Sequence, residues 1–454
     1  MTERDLQQRL LTRSVSGGYN LFVKLGGLLA AVGAALFVVA ASGGHSTRAW
    51  QAFHVNWLFF TGITAGSLAL NAVYKVANAK WAGVIVRFSQ ATVFFALVSL
   101  VGCVLIFTLG YHAIYGPMQE QLPALSPGKQ LWLSHGFMFA RLLIGLTALF
   151  TVGWMLVRAD LLPDMLAVRE GVGEARRPMY DQWTAGFDSS EAGLAANHAR
   201  IHRLAPLYVV LYAIVATLVA FDAVMALQPH WFSNLLGGFY FMGSFLGGHT
   251  LLVLLMLYGR RQLGIADLVS AKQRHDLGKM CFGFTVFWAY LMWAQFLVIW
   301  YGNLPEETGF VFARLWGPWL PIGRMVFLGM FLIPFWGLLF VAAKKSPFVL
   351  GLFATVSLVA LWLERYLLVT PSVSTEAGPV FGLAELGPLL GFLGFFLLAY
   401  GLFARTFPMV SPRLATLTLM EERKHGHGEE FFHDEAPKDF AMPAELERRD
   451  HDRG

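Results

Sequence analysis

The sequence predicts an all-α polytopic membrane protein with about ten transmembrane helices. Of its 454 residues, 56% are apolar and only 14% are charged, where soluble domains carry about 25% charge. The mean hydropathy is +0.55. The apolar runs are about 18–25 residues long, enough to cross a bilayer as helices and too long for barrel strands. Together these exclude a soluble enzyme and a disordered chain.

In chain order the spans fall at 21–41, 52–74, 86–108, 136–157, 204–224, 236–258, 280–300, 323–342, 348–368 and 384–404. The first run ends in VVAASGG, whose small residues suit a cleavage site, but the run is longer than a signal peptide's apolar region and reads as a retained span. Between spans four and five, residues 158–203 contain Pro178 and a Gly/Ala/Ser-rich piece near 185–193, which predicts a short interfacial helix or a packed excursion. Pro334 is expected to kink span eight. Gly62 with Gly66, and Gly26, Gly27 and Gly33, read as points where helix backbones approach. The organisation is then an N-terminal segment (1–20), a ten-helix membrane domain (21–410) and a hydrophilic tail (411–454). The tail includes EERKHGHGEEFFHDE at 421–435 and reads as solvated or partner-bound. Its scattered histidines and carboxylates are an unspecific metal pattern.

Alternate threading places nineteen Lys and Arg on one side before the tail, and only Arg48, Lys129, Arg314 and Arg324 on the other. The positive-inside rule puts both termini in the cytoplasm, with the loops near 42–51, 109–135, 225–235, 301–322 and 369–383 facing outward. The bilayer accounts for the net positive charge, so no nucleic-acid partner is implied. Trp132, Trp231, Trp300, Trp316 and Trp319 fall near the outward ends, as in an interfacial aromatic belt. Cys103 and Cys281 both lie in apolar stretches, which excludes a disulfide framework, a cysteine-ligated iron–sulfur cluster and a CxxCH haem site.

Ionisable residues inside a bilayer are costly and therefore informative. They are Lys24, His54, Arg141, Asp222, His249, Glu364 and Arg365, with His135 at a span entrance. Lys24 lies one turn from the cytoplasmic end and can snorkel. His54, Arg141, Asp222, Glu364 and the amide Gln295 share the outward leaflet, where a lipid-soluble hydroxyl substrate such as a quinol would exchange protons. His54 with Asp222 is the preferred pair for hydroxyl contact and proton acceptance. Arg141 is the counter-charge for Asp222 or Glu364. The plainer readings are an Asp222 that merely pairs with Arg141, structural roles for His54 and His135, and a packing role for His249 in place of a proton path. Glu364 and Arg365 are adjacent, point in different directions around the helix, and are expected to pair elsewhere. No span carries two histidines, and His54 and His249 differ in depth, so a b-type haem is not expected. With no metal or flavin motif either, electrons from a quinol would leave through another polypeptide. No interrupted helix pair or solute motif points to a secondary transporter.

Three long stretches carry a resemblance: AWQAFHVNWLFFTGITAGSLALNAVYKVANAKWAGVIVR at 49–87, VAFDAVMALQPHWFSNLLGGFYFMG at 219–243, and CFGFTVFWAYLMWAQFLVIWYGNLPEE at 281–307. They resemble the NrfD/PsrC-like integral membrane subunits, in the ActF-type form of the alternative complex III, over residues 20–410. The resemblance implies two four-helix bundles plus two peripheral helices in a bacterial inner membrane. It implies a respiratory quinol oxidoreductase that binds menaquinol or ubiquinol as substrate, with no metal or covalent cofactor in this chain. The implied partners are a pentahaem cytochrome c subunit, a large periplasmic iron–sulfur protein, a second NrfD-like membrane subunit, small membrane subunits and lipids, with cytochrome c or a terminal oxidase as acceptor. The family motifs fall on His54 and Asn56, on Asp222, and on Gln295 with Trp300 and Glu306. In the resembling complex the paralogous subunit lies closer to the clusters, so the alternative for this chain is a scaffold or proton-conducting subunit.

Overall fold

The structure, a computed structural model, describes residues 8, 10–12 and 19–424. The N-terminal Arg4, Arg9 and Arg13 and the histidines after 424 lie outside the described residues. Among the described residues, ten helices are long and apolar enough to cross a membrane: α1 (Asn20–Ser42), α2 (Ser46–Val76), α3 (Val86–Ala124), α4 (His135–Gly171), α5 (Glu191–Leu227), α6 (Leu236–Gln262), α7 (Ala271–Gly302), α8 (Gly317–Gly337), α9 (Pro347–Val373) and α10 (Leu383–Thr406). The chain is an all-helical multi-pass membrane protein. Several helices outrun their apolar windows: α3 reaches Ala124, α4 reaches Gly171 and α5 begins at Glu191. Once its hydrogen bonds are nucleated, a helix continues into polar sequence without further apolar support.

Span eight is shifted toward the N-terminus as a whole, running from Gly317 to Gly337. Its Leu328–Leu332 stretch is a π-helical turn just before Pro334. Proline lacks an N–H and its ring crowds the carbonyl four residues back, and a widened turn relieves both problems. The loop between α4 and α5 contains the short helix Arg177–Thr184, anchored by the Tyr180 hydroxyl, which donates to the Thr406 carbonyl at 3.1 Å.

Helices α2–α5 pack among themselves, as do α6–α9, and α2 lies against α6 where the two groups meet. The remaining pair, α1 and α10, packs face to face along its length, with α10 resting on α2. Small residues permit both close approaches. A Cβ at Gly33 would run into the backbone of Gly391, and one at Gly66 into the Ser244 carbonyl of α6, whereas Gly27 faces open space. Gly66→Val is therefore expected to force α2 and α6 apart at a cost of about 1–3 kcal/mol, while Gly27→Val is neutral. Thermal unfolding of the two variants checks this, and equal midpoints would contradict the close approach.

Contacts join the helix ends as the alternation requires. At one end Arg48 forks onto Glu385 at 2.9–3.0 Å, and the Gln51 amide donates to the Val373 carbonyl at 2.8 Å. At the other, hereafter the basic end, Lys75, Arg87, Asp160 and Arg413 meet. The first part of the hydrophilic tail is a further helix, α11 (Pro412–Lys424), with Ala415, Thr418 and Leu419 buried. Thr418 accepts from the Gly83 amide at 3.0 Å, and the Ser270 hydroxyl donates to Glu422 at 2.9 Å. Burial pushes the Glu422 carboxyl above its ordinary range, with the Ser270 bond opposing. Two of the five tryptophans assigned to an aromatic belt are instead buried. Trp231 stacks on Phe310 at 3.6 Å and Trp319 packs against Tyr366. Trp132, Trp300 and Trp316 are exposed.

Candidate functional site

The end opposite the basic one holds a polar cluster built from α2, α3, α4 and α5. Arg141, two turns into α4, grips Asp222 near the end of α5 through two bonds, Nη2 to Oδ1 at 2.5 Å and Nε to Oδ2 at 2.9 Å. The Asp222 side chain has no exposure and that of Arg141 has 9%. A forked guanidinium–carboxylate contact is the strongest geometry for such a pair. The guanidinium also lies 3.7 Å from the centre of the Trp132 ring and 4.7 Å from that of Phe137, a placement the ring quadrupoles favour. Of the two counter-charges open to Arg141 in the sequence, it takes Asp222.

His54 is fully buried on α2, and its Nε2–H donates to the carbonyl of Ala223, one residue past Asp222, at 2.7 Å. That bond fixes the tautomer, because a carbonyl can only accept, and leaves Nδ1 as the basic nitrogen. Nδ1 is buried and has no partner among the described residues. His54 and Asp222 are therefore neighbours within one cluster, but the carboxylate is engaged by Arg141 and the imidazole by backbone. Tyr115 completes the group: its hydroxyl donates to the Asp222 carbonyl at 3.0 Å, and its ring lies 5.9 Å from that of His54.

His135 joins through a backbone irregularity. Residues Ile106–Gly110 of α3 form a π-helical turn, and His135 Nε2–H donates to the Phe107 carbonyl within it at 2.7 Å. A π turn disturbs the regular hydrogen-bond ladder and is common where function bends a helix. The His135 ring packs 4.0 Å from Tyr111.

No family model matches the chain, and no curated protein matches it.

The other expected residues lie elsewhere. Contrary to expectation, Glu364 and Arg365 pair with each other, Nη1 to Oε1 at 3.1 Å. Both are buried, and the long arginine side chain bends back to the nearest counter-charge where no water competes. Arg365 also reaches across to α6, to the Tyr240 carbonyl at 3.3 Å and the Ser244 hydroxyl at 3.2 Å, with its guanidinium 4.2 Å from the Tyr240 ring centre. Asn56 is satisfied locally, donating to the Ala52 carbonyl and accepting from Trp362 Nε1, both at 2.9 Å. His249, deep in α6, bonds the Phe245 carbonyl through Nδ1 at 3.0 Å, and its Nε2 is buried without a partner among the described residues. Gln295 is half-buried on α7, which packs in the α6–α9 group. Among the described residues, no group of three or more His, Cys, Asp or Glu is placed to hold a metal.

Sequence reasoning missed a second cluster, at the basic end. Asp160 on α4 accepts from Lys75 at 2.8 Å, Gln90 at 2.7 Å and Arg413 at 3.3 Å. Asp164, one turn on, pairs with Arg87 and accepts from Ser411 at 2.8 Å. Asp160, Asp164 and Arg87 are almost wholly buried. The available signal was the i, i+4 spacing of the two aspartates in VRADLLPD, which puts both on one helix face.

Proposed function

We propose that this chain is the membrane subunit of a respiratory quinol oxidoreductase complex. In this reading the cluster opposite the basic end receives a quinol headgroup, and electrons pass to iron–sulfur and c-haem partners. The resemblance to the NrfD/PsrC-like subunits motivates the substrate and the partners. The observation that carries the reading is the His54 tautomer. A buried imidazole holds its basic Nδ1 without a partner, beside a locked Asp222–Arg141 pair and the Tyr115 ring. A quinol hydroxyl donating to Nδ1 would pass its proton there as the electron leaves, while the Ala223 carbonyl goes on accepting from Nε2–H of the resulting imidazolium. Arg141 fixes the position of the Asp222 carboxyl through its forked contact. No metal or organic cofactor in this chain is needed for that proton step. The basic end would face the cytoplasm and the quinol cluster the periplasm.

His54→Gln tests this. Glutamine can keep the bond to the Ala223 carbonyl through its amide but has no titratable nitrogen. The variant complex is expected to assemble normally, and menaquinol or ubiquinol oxidation by native membranes is expected to fall by about 10²-fold or more, within the range of general-base contributions. Unchanged turnover would refute the assignment.

The complete burial of His54 and Asp222 favours a second reading, a proton-conducting or scaffold subunit with the active quinol site in a paralogous neighbour. Under that reading His54→Gln leaves electron transfer intact.

A further inference from the structure

The basic-end cluster holds more buried hydrogen-bond donors than its own acceptors satisfy. Three cations, Lys75, Arg87 and Arg413, face two carboxylates, Asp160 and Asp164. Arg87 has no exposure, yet among the described residues its Nε and Nη1 have no partner, and neither do Asn71 Nδ2 and Arg413 Nε; the only unpartnered acceptor among these side chains is Gln90 Oε1. A guanidinium removed from water with open N–H groups is costly, and the surplus is of one kind, positive and donating. Water is as much donor as acceptor, whereas a small anion answers both the charge and the donor excess. Access comes from the surface, because the Lys75 and Arg413 side chains are 15% and 33% exposed.

We propose that this cluster binds a small monovalent inorganic anion of the chloride class, and that the anion fastens α11 over the basic end. Arg413 belongs to α11, and Ser411, just before that helix, bonds Asp164. The C-terminal helix thus supplies part of the site that it covers. Occupancy and helix docking are therefore linked, each strengthening the other. The site is separate from the quinol cluster and does not depend on that reading.

The test uses the purified full chain at constant ionic strength, with sodium gluconate replaced stepwise by sodium chloride or bromide. The expected result is a saturable rise in the unfolding midpoint of about 3 °C, with tryptic release of α11 slowed about threefold. Arg413→Gln reduces the formal charge of the cluster to zero and should abolish both halide effects, its midpoint and its rate of α11 release being the same in halide as in gluconate. If that variant fails to fold, Lys75→Gln makes the same change of charge from α2. Identical behaviour in halide and gluconate, or a halide effect that survives the charge-removing variant, would overturn the proposal and leave the cluster occupied by water.

Discussion

Arg141→Ala is expected to destabilise the protein by about 3–5 kcal/mol, because it strands a fully buried Asp222 carboxylate with neither counter-charge nor forked hydrogen bonds. Asp222→Ala should cost a similar amount by stranding the guanidinium, which keeps only the Trp132 carbonyl at 3.2 Å and the flanking rings. The double variant Arg141→Leu with Asp222→Leu removes both charges and should recover most of the loss, since an apolar pair of similar volume pays no desolvation cost. Thermal unfolding of the four proteins gives the coupling directly. The same set separates stability from chemistry. If the pair also serves quinol oxidation, the double variant regains its midpoint and stays inactive. If the pair is only a brace between α4 and α5, activity returns with stability.

Asp160→Ala should be the most damaging change at the basic end, again by about 3–5 kcal/mol. Asp160 is the acceptor for Lys75, Gln90 and Arg413 and lies 4.0 Å from Arg87. Its loss leaves three cations around Asp164 alone. Because Arg413 tethers α11, the helix should also detach more readily, so tryptic release of the C-terminal segment should quicken alongside the fall in midpoint. Asp164→Ala, which loses Arg87 and Ser411, should be milder for α11 because Arg413 keeps Asp160. A wild-type midpoint in Asp160→Ala would contradict the buried network.

The spans were legible because a bilayer imposes one simple requirement, a long apolar helix, and hydropathy reports it directly. What hydropathy does not report is how far a helix continues beyond its apolar window. Asp160 and Asp164 lie past residue 157, where span four was expected to end, and so read as loop residues although α4 carries them to the core of a network. Tyr115 was hidden in the same way by the extension of α3. The sequence leaves Arg141 open to Asp222 or Glu364, and only helix packing decides between them. Glu364 and Arg365 were misread because ideal helix geometry points neighbouring residues apart, while a flexible arginine in low dielectric takes the nearest carboxylate. The His54 tautomer could not be read from sequence at all, since it depends on a carbonyl 169 residues away.

The proposed quinol site sets the headgroup against His54 beside the Asp222–Arg141 pair. The most direct test is a cryo-EM structure of the complex extracted gently from its native membrane with lipids retained. Quinone density is expected with a ring oxygen within about 2.7–3.2 Å of His54 Nδ1, near enough to a partner's redox centre for electron transfer. A His54 pocket sealed by protein and lipid, with the quinone held only in another membrane subunit, would contradict it.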